Sequence, residues 1–560
     1  MHTWPAHLSL QEPSDKEGSL RLALLTDRPV LPAAVRDLLG DVLRGTSARL
    51  VGSVGLESIS PTPEMRLFEG LDWLDFLLHG AVVQQEKTSV ASGAAALEEG
   101  AFPVHVQDGH LVPGEAALQQ LRRLDADVLL CLTHLPPRLP ADIARWGAIG
   151  IEAGHGVPVL ASWAAAGEFA TGSPMSLRLM DYAGEARECH VACVGVATSS
   201  SLRRCREDLL LRGGAALKRH LERLAAGQAS VPLPRLLEPL ADRRPSQAPT
   251  AGLLARTLLQ AGRRWLHNRW SKRPGHSRDR SDAWHLAYAL TDIPLPDIPF
   301  ADLCYLAPPP GHFWADPFAV ELDGRHWIVF EDMPADRRRA CLRAVEVNGQ
   351  GIVSAPVLVL ERPFHLSYPY LFQWEGGLYL LPETRQARHL ELLRCVVFPD
   401  RWVSCGVLLD DVQAVDATLW HDEATGRWWM FANQAGEGVA TADELHLYWA
   451  ESPLGPWEAH PHNPLCGDAR CSRPAGPLFR QGMALYRPSQ DGGRRYGEAL
   501  WINSVDQLDT AGFVETPQRR IAADWHPAVK GVHTIGRAGR LTVLDCVIEG
   551  VPPSPVQSFT

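Results

Sequence analysis

The chain has 560 residues, a formal net charge of −11, and 46% hydrophobic against 21% charged residues. One ordinary core does not support that length, so two or three folded domains are expected, and the negative balance argues against nucleic acid as the main partner. No apolar run reaches the roughly 18 residues of a membrane span. The first ten residues lack the basic and apolar regions of a secretory signal, and the eleven cysteines are odd in number and scattered. They read as reduced thiols, and the expected location is cytoplasmic.

Residues 1–19 are polar and unpatterned, a loose tail. From Leu20 the pattern alternates. Strands are expected at Leu20–Leu25, Ala48–Val54, Ala126–Leu132 and Gly147–Ile151, with helices near Ala33–Val42 and Pro140–Trp146 and a long closing helix at Ser201–Ala226. Apolar strands alternating with helices indicate a parallel sheet covered on both faces. Residues 227–283 read as a linker. Within it, residues 252–270 form a basic amphipathic helix, with Leu254, Leu258, Ala261 and Trp265 on one face and Arg256, Arg263, Arg264 and Arg269 elsewhere. Such a helix packs between domains or rests on an anionic membrane surface.

From 284 onward one design recurs. Gly311-His-Phe-Trp-Ala-Asp-Pro-Phe318 opens a strand, Asp323-Gly324 turns it, and His326–Phe330 returns; Asp-Gly between alternating apolar residues is a hairpin signal. Ser367–Glu383, Val415–Phe431 and Arg473–Tyr486 repeat it, and Gly531–Leu544 is a weaker fifth copy. A spacing of about 50–60 residues suits one propeller blade. The fold class expected is therefore multidomain: an α/β Rossmann-like N-terminal domain (20–226) and an all-β five-bladed β-propeller (284–560).

In a propeller the first strand of each blade lines the central channel. Asp316, Tyr368, Asp416, Arg473 and His533 occupy that position in blades one to five and so point at one axial pocket. Glu383, at the end of a second strand, either curls over the pocket or caps a strand at the surface. Arg473 either clamps a phosphate or carboxylate or pairs with Asp316 or Asp416. His365 and His533 are candidates for sugar hydroxyls. Trp314, Trp374 and Trp420 are stacking platforms or blade core. His460, His462, Cys466 and Cys471 offer zinc-type donors, but their spacing matches no standard finger; no metal is expected.

The stretch from Asp127 to Ile151 resembles the formyltransferase type of Rossmann-like domain. That family carries an Asn-x-His pair after such a strand. This chain has Gly150 and Glu152 at those positions, His155 three residues late, and Asp181 as a candidate for the family's aspartate. The resemblance implies folate only if the domain is active. Phe313–Phe318, Ser367–Tyr370, Pro382–Thr384, Val415–Thr418, Ser472–Gly476 and Gly531–Thr534 resemble the propeller of glycoside hydrolase family 43. They are closer still to the N-terminal propeller of plant glucosamine inositolphosphorylceramide transferases and their bacterial relatives. The family 43 likeness implies Asp316 as base and Asp416 as the aspartate that tunes the acid. The acid expected in blade four is missing, which leaves Glu383 to supply it. No counterpart of the plant proteins' glycosyltransferase domain is recognised, so their transfer activity is not implied. The first expectation is a carbohydrate-active protein acting on a glycan, glycolipid or sugar-nucleotide, by hydrolysis or transfer. A sugar N-formyltransferase with an acceptor-binding propeller and a non-catalytic glycan-binding protein are the alternatives.

Overall fold

The computed structural model describes residues 19–28, 31–79, 101–154, 156–196, 199–228, 249–270, 283–334, 339–351, 353–436, 439–550, 553 and 556–557. The tail, His155, most of the linker and the connector before Trp284 lie outside them. The chain divides into an α/β unit, which takes in most of the helix beginning at Ala251, and a β unit.

The α/β unit is built on β1 (Leu20–Thr26), β2 (Ala48–Leu56), β3 (Ala101–Phe102), β4 (Val128–Leu132), β5 (Ala148–Ala153), β6 (Pro174–Asp181) and β7 (Arg187–Val196), in the sheet order β7-β6-β5-β4-β1-β2-β3. Strands β3, β2, β1, β4 and β5 run parallel, while β6 and β7 are antiparallel additions at one edge. Strands β1 and β4 are apolar without alternation and almost wholly buried, as strands covered on both faces must be. Helices α1 (Ala33–Gly45), α2 (Pro63–His79), α3 (Glu115–Arg123), α4 (Ala166–Thr171) and α5 (Leu202–Ala225) accompany them. Ser201 caps α5 by accepting from the Arg204 amide. Gly213 and Gly214 bring α5 close: a Cβ at Gly214 would sit 2.3 Å from Leu38, and one at Gly213 2.6 Å from Ile151.

Two expectations change here. Residues 140–146 form turns rather than a helix, because the amides of Arg145 and Trp146 bond to the carbonyls of Ala126 and Asp127 instead of continuing a helical ladder. The basic helix α6 (Ala251–Trp270) belongs with the α/β unit. Leu253, Leu254 and Ala261 pack on its core, and Arg264 lies 4.3 Å over the Phe169 ring. Leu258, Leu259 and Leu266 stay exposed beside Arg256 and Arg263. No described helix is long and apolar enough to cross a membrane.

The β unit is a five-bladed propeller. Blade one comprises His312–Leu322, Arg325–Pro334, Cys341–Val347 and Val357–Leu360; blade two, Ser367–Trp374, Gly377–Glu383, His389–Val397 and Arg401–Asp410. Blade three comprises Gln413–Asp422, Arg427–Ala435, Leu445–Ala450 and Glu458–Ala459; blade four, Phe479–Gln481, Ala484–Asp491, Ala499–Asp509 and Gly512–Ala522. Blade five joins Ile535–Ala538 and Leu541–Ile548 to Ala283–Leu290 and Cys304–Leu306 from the start of the unit. Ala283–Leu290 pairs along its whole length with Leu541–Ile548, so the ring closes on itself and that pair leaves no raw edge.

The first strands of blades one, two and three carry the same irregularity. Register slips between Ala315 and Phe318, between Ser367 and Tyr370, and between Val415 and Thr418. At the slip Asp316, Tyr368 and Asp416 take φ of +49°, +43° and +52°. A bulge with a left-handed residue re-aims one side chain out of the strand's alternation. For a tyrosine this conformation stores on the order of 1–3 kcal/mol. Three repeats of it turn three polar side chains inward.

Candidate active site

Asp316 sits at the head of blade one, 4% exposed. Its Oδ1 accepts from the Thr534 hydroxyl at 2.8 Å and its Oδ2 from the Tyr368 amide at 3.2 Å. The His533 ring lies between two carboxyls: Nε2 is 3.0 Å from Asp316 Oδ1, and Nδ1 is 2.8 Å from Asp545 Oδ2. Neither contact is aligned as a hydrogen bond, so charge holds the group together more than direction does. Asp545 also accepts the amides of Asp316, His533 and Thr534. Burial opposes a charge on His533, but Asp545 and then Asp316 outweigh it and push the imidazole up to about 10. Burial likewise opposes ionisation of Asp316, yet the His533 imidazolium and the Thr534 hydroxyl hold that carboxyl below the usual aspartate range. Asp316, His533 and Asp545 have the donor types of a metal site. However, the imidazole offers its two nitrogens to carboxyls on opposite edges, so no single ion can replace both contacts.

The second half of the cluster belongs to blades two to four. Arg473 approaches Asp416 with Nε at 2.6 Å from Oδ2 and Nη2 at 3.3 Å from Oδ1, and Gln490 donates to Oδ2 at 2.8 Å. Burial pushes Asp416 up against the pull of Arg473. Glu383, the end of a blade-two strand, is hydrogen-bonded to Asp416; burial first and then Asp416 push it to about 8. With the guanidinium on Asp416, the proton of the pair resides on Glu383. Tyr368 is wholly buried and ties three blades together, through Thr418 Oγ1 at 2.8 Å and the Gly476 amide at 2.8 Å.

The mouth is lined by groups that reach solvent. Tyr496 is 53% exposed and lies 5.0 Å from the His533 ring and 6.1 Å from Trp284, with Arg473 stacked 5.3 Å over it. Trp284 packs edge-on to His533 at 4.2 Å. A Cβ at Gly497 would lie 2.5 Å from its indole, so only glycine lets the ring settle there. On another side His365 Nε2 is 3.5 Å from Glu331 Oε1. Burial and then Asp316 raise Glu331 well above the usual glutamate range.

The expected residues separate accordingly. Asp316, Glu383, Asp416, Tyr368, Arg473 and His533 form one connected cluster, and His365 reaches it through Glu331. Trp314 does not face the pocket: it is 1% exposed, and its indole N–H donates to Asp332 at 3.0 Å. Trp374 packs on Tyr379 and Trp428, and Trp420 lies under Arg480. Trp284 and Tyr496 provide the aromatic surface instead. Sequence reading missed them together with Glu331, Asp545, Thr534 and Gln490. A signal existed for two of these, since Glu331 directly follows the apolar strand run Trp327–Phe330 and Asp545 interrupts the apolar run Val543–Ile548.

The N-terminal candidates make a different picture. Glu152 is fully buried and accepts from the Tyr182 hydroxyl at 2.9 Å. The Tyr182 ring fills the space over Gly150, where a Cβ would come within 2.5 Å. Asp181 pairs with Ile149 at the other end of β5 and accepts the amides of Ala148 and Ala183. A formyl-polarising amide and a base therefore have no place at these positions. The residues do not fit formyl-folate chemistry. In the blade-three loop His460 uses both ring nitrogens on backbone groups, the Asp509 carbonyl and the His462 amide. Cys466 and Cys471 are buried with their sulfurs 3.5 Å apart.

A closed five-bladed propeller with poised carboxyls, an imidazolium and an arginine on its axis is the class of module this half of the chain defines. A family model described as the N-terminal region of glucosamine inositolphosphorylceramide transferase 1 matches residues 275–533. That span holds the whole cluster except Thr534 and Asp545. The glucosamine inositolphosphorylceramide transferase 1 of Oryza sativa subsp. japonica is 29% identical over 247 residues, 43% of this chain and 32% of the rice protein. The protein of the same name from Arabidopsis thaliana is 30% identical over 214 residues, 37% of this chain and 28% of that one. The chain thus spans about a third of the length of these relatives. Among solved structures, a family 117 glycoside hydrolase of Zobellia galactanivorans aligns with TM-score 0.32 and 12% identity, over 50% of this chain and 94% of that one.

Proposed function

We propose that the propeller binds a glycosyl unit in its axial pocket and performs acid–base chemistry on the glycosidic bond, by hydrolysis or by transfer to an acceptor hydroxyl. The observation that carries this reading is the divergence of two carboxyls in one cluster: Asp316 is held ionised, while Glu383 keeps its proton up to about pH 8. Environments that push two titratable groups apart assign an acid and a base. Glu383 would protonate the departing oxygen, and Asp316 would accept the proton of the attacking water or hydroxyl. Asp416, fixed by Arg473 and Gln490, positions the Glu383 proton. Trp284 and Tyr496 offer the face on which a sugar ring stacks. The sequence likeness to glucosamine inositolphosphorylceramide transferases supports a sugar or glycolipid as the occupant.

A non-catalytic glycan-binding role is the second reading. It is favoured by the many partners that Asp316 already has, Thr534, His533 and the Tyr368 amide. Saturation-transfer NMR of the full chain with a panel of methyl glycosides tests the shared part. Signal from ring protons is expected in wild type, with at least about a tenfold weaker affinity in Trp284→Ala, equivalent to 1.4 kcal/mol. Equal affinity in the variant would move the sugar to another surface.

A further inference from the structure

Helix α6 is apolar on two sides. Leu253, Leu254 and Ala261 pack on the core of the α/β unit, Thr257 is fully buried, and Arg264 donates to the carbonyls of Ser199 and Phe169. These contacts fix how the helix is turned about its axis. At 3.6 residues per turn, roughly 100° for each, Leu259, Gly262 and Leu266 fall on the opposite side. Leu259 and Leu266 are 56% and 51% exposed, with Leu258 and Trp265 each 47% exposed on one flank. On the other flank Arg256, Arg263 and His267 stand in an exposed row. A helix that covers a core ordinarily turns one apolar stripe inward and a polar face outward. This one turns leucines outward as well. It carries arginine at 256, 263, 264 and 269 and neither Asp nor Glu, within a chain of net charge −11.

We propose that the outer face of α6 docks on a bilayer surface rich in anionic lipid. Leu258, Leu259 and Leu266 enter the boundary between headgroups and acyl chains, and the Trp265 indole, apolar with one polar N–H, lies at headgroup level. Arg256 and Arg263 run their stems along the same apolar surface and carry their guanidinium groups to lipid phosphates. A second copy of the chain fits this face poorly. Across a two-fold axis it would set these arginines against their own kind, and the helix supplies no acid to meet them. The helix rests on the membrane and does not span it, since no described helix is long and apolar enough to cross. The negative charge of the whole chain is repelled by such a surface, so attachment is local to α6 and weakens as salt screens it.

Co-sedimentation of the full chain with vesicles tests this, with no sugar present, so the outcome does not depend on the axial pocket. Vesicles of phosphatidylcholine containing phosphatidylserine are compared with phosphatidylcholine alone, and binding at least about tenfold tighter to the first is expected. Leu259→Gln with Leu266→Gln, and separately Arg256→Gln with Arg263→Gln, should each weaken binding at least about tenfold. Urea midpoints should not move, because all four side chains are exposed. If the leucine variant fails to fold, the arginine variant still decides. Equal binding by wild type and both variants overturns the assignment to α6, and equal binding to the two lipids overturns the anionic preference. Failure of wild type to sediment with either overturns docking itself. Self-association of wild type, seen by sedimentation velocity and lost in the leucine variant, would give this face to a second copy and overturn the bilayer.

Discussion

Replacing His533 with glutamine is expected to destabilise the propeller by about 3–5 kcal/mol, the loss that follows when one partner of a buried charge group is removed. The ring is 1% exposed between Asp316 and Asp545. Without it two buried carboxyls of blades one and five face each other with no cation between them. The effect also has a pH signature. His533 titrates near 10 in the folded chain against 6.5 when free, so its contribution is complete below about pH 6.5 and is lost as pH rises toward 10. Asp316 works in the other direction. Its folded value is depressed, so its contribution is present above 3.8 and is lost as acid carries it through that lower value. Urea midpoints of wild type and His533→Gln, followed from pH 6 to 10 by tryptophan fluorescence, should converge as the pH rises. Equal midpoints near neutrality would show that the imidazolium does not hold the axis together.

Glu383→Gln is expected to lower kcat/KM by about 10²–10⁴ on substrates whose leaving group needs a proton, the range typical of general acid catalysis. Glycosides of strongly acidic phenols leave without protonation, so their turnover should change little. Glu383 keeps its proton until about 8, so wild-type activity should fall above that pH. The variant has no carboxyl to lose a proton, and its residual rate should lack that alkaline limb. Steady-state pH profiles on both substrate types measure this. A uniform loss on both would make Glu383 a structural partner of Asp416 rather than an acid.

The propeller was legible in the sequence because its hairpins repeat: aromatic residues before a polar one, a tight turn, and an apolar return. Whereas Arg473 and His533 lie not on first strands but in the segments just before Phe479–Gln481 and Ile535–Ala538, the inward positions of blades one to three, Asp316, Tyr368 and Asp416, could be read from the same repeats. The three left-handed bulges could not, since a φ of +43° at Tyr368 follows from the ring of blades around it and not from its neighbours in sequence. Asp545 was equally hidden. It joins the cluster because the last hairpin closes on Ala283–Leu290, a pairing across more than two hundred residues. Trp314 misled because an aromatic beside a pocket acid has the pattern of a sugar platform, whereas Asp332 draws its indole into the core. The Pro140–Trp146 segment misled in another way. Its composition suits a helix, but neighbouring strand-edge carbonyls take its amides.

The most direct measurement is turnover by purified wild type and Asp316→Asn, screened against aryl glycosides and nucleotide sugars with products followed by mass spectrometry. Asparagine tolerates the left-handed backbone of position 316 and keeps a side-chain oxygen for Thr534 but loses the oxygen that accepts the Tyr368 amide, so turnover is compared only after the urea midpoint shows the variant folded. Turnover in wild type that vanishes in Asp316→Asn is the predicted result. Equal turnover in both proteins, or none in wild type while sugar still binds, would contradict acid–base chemistry at this axis.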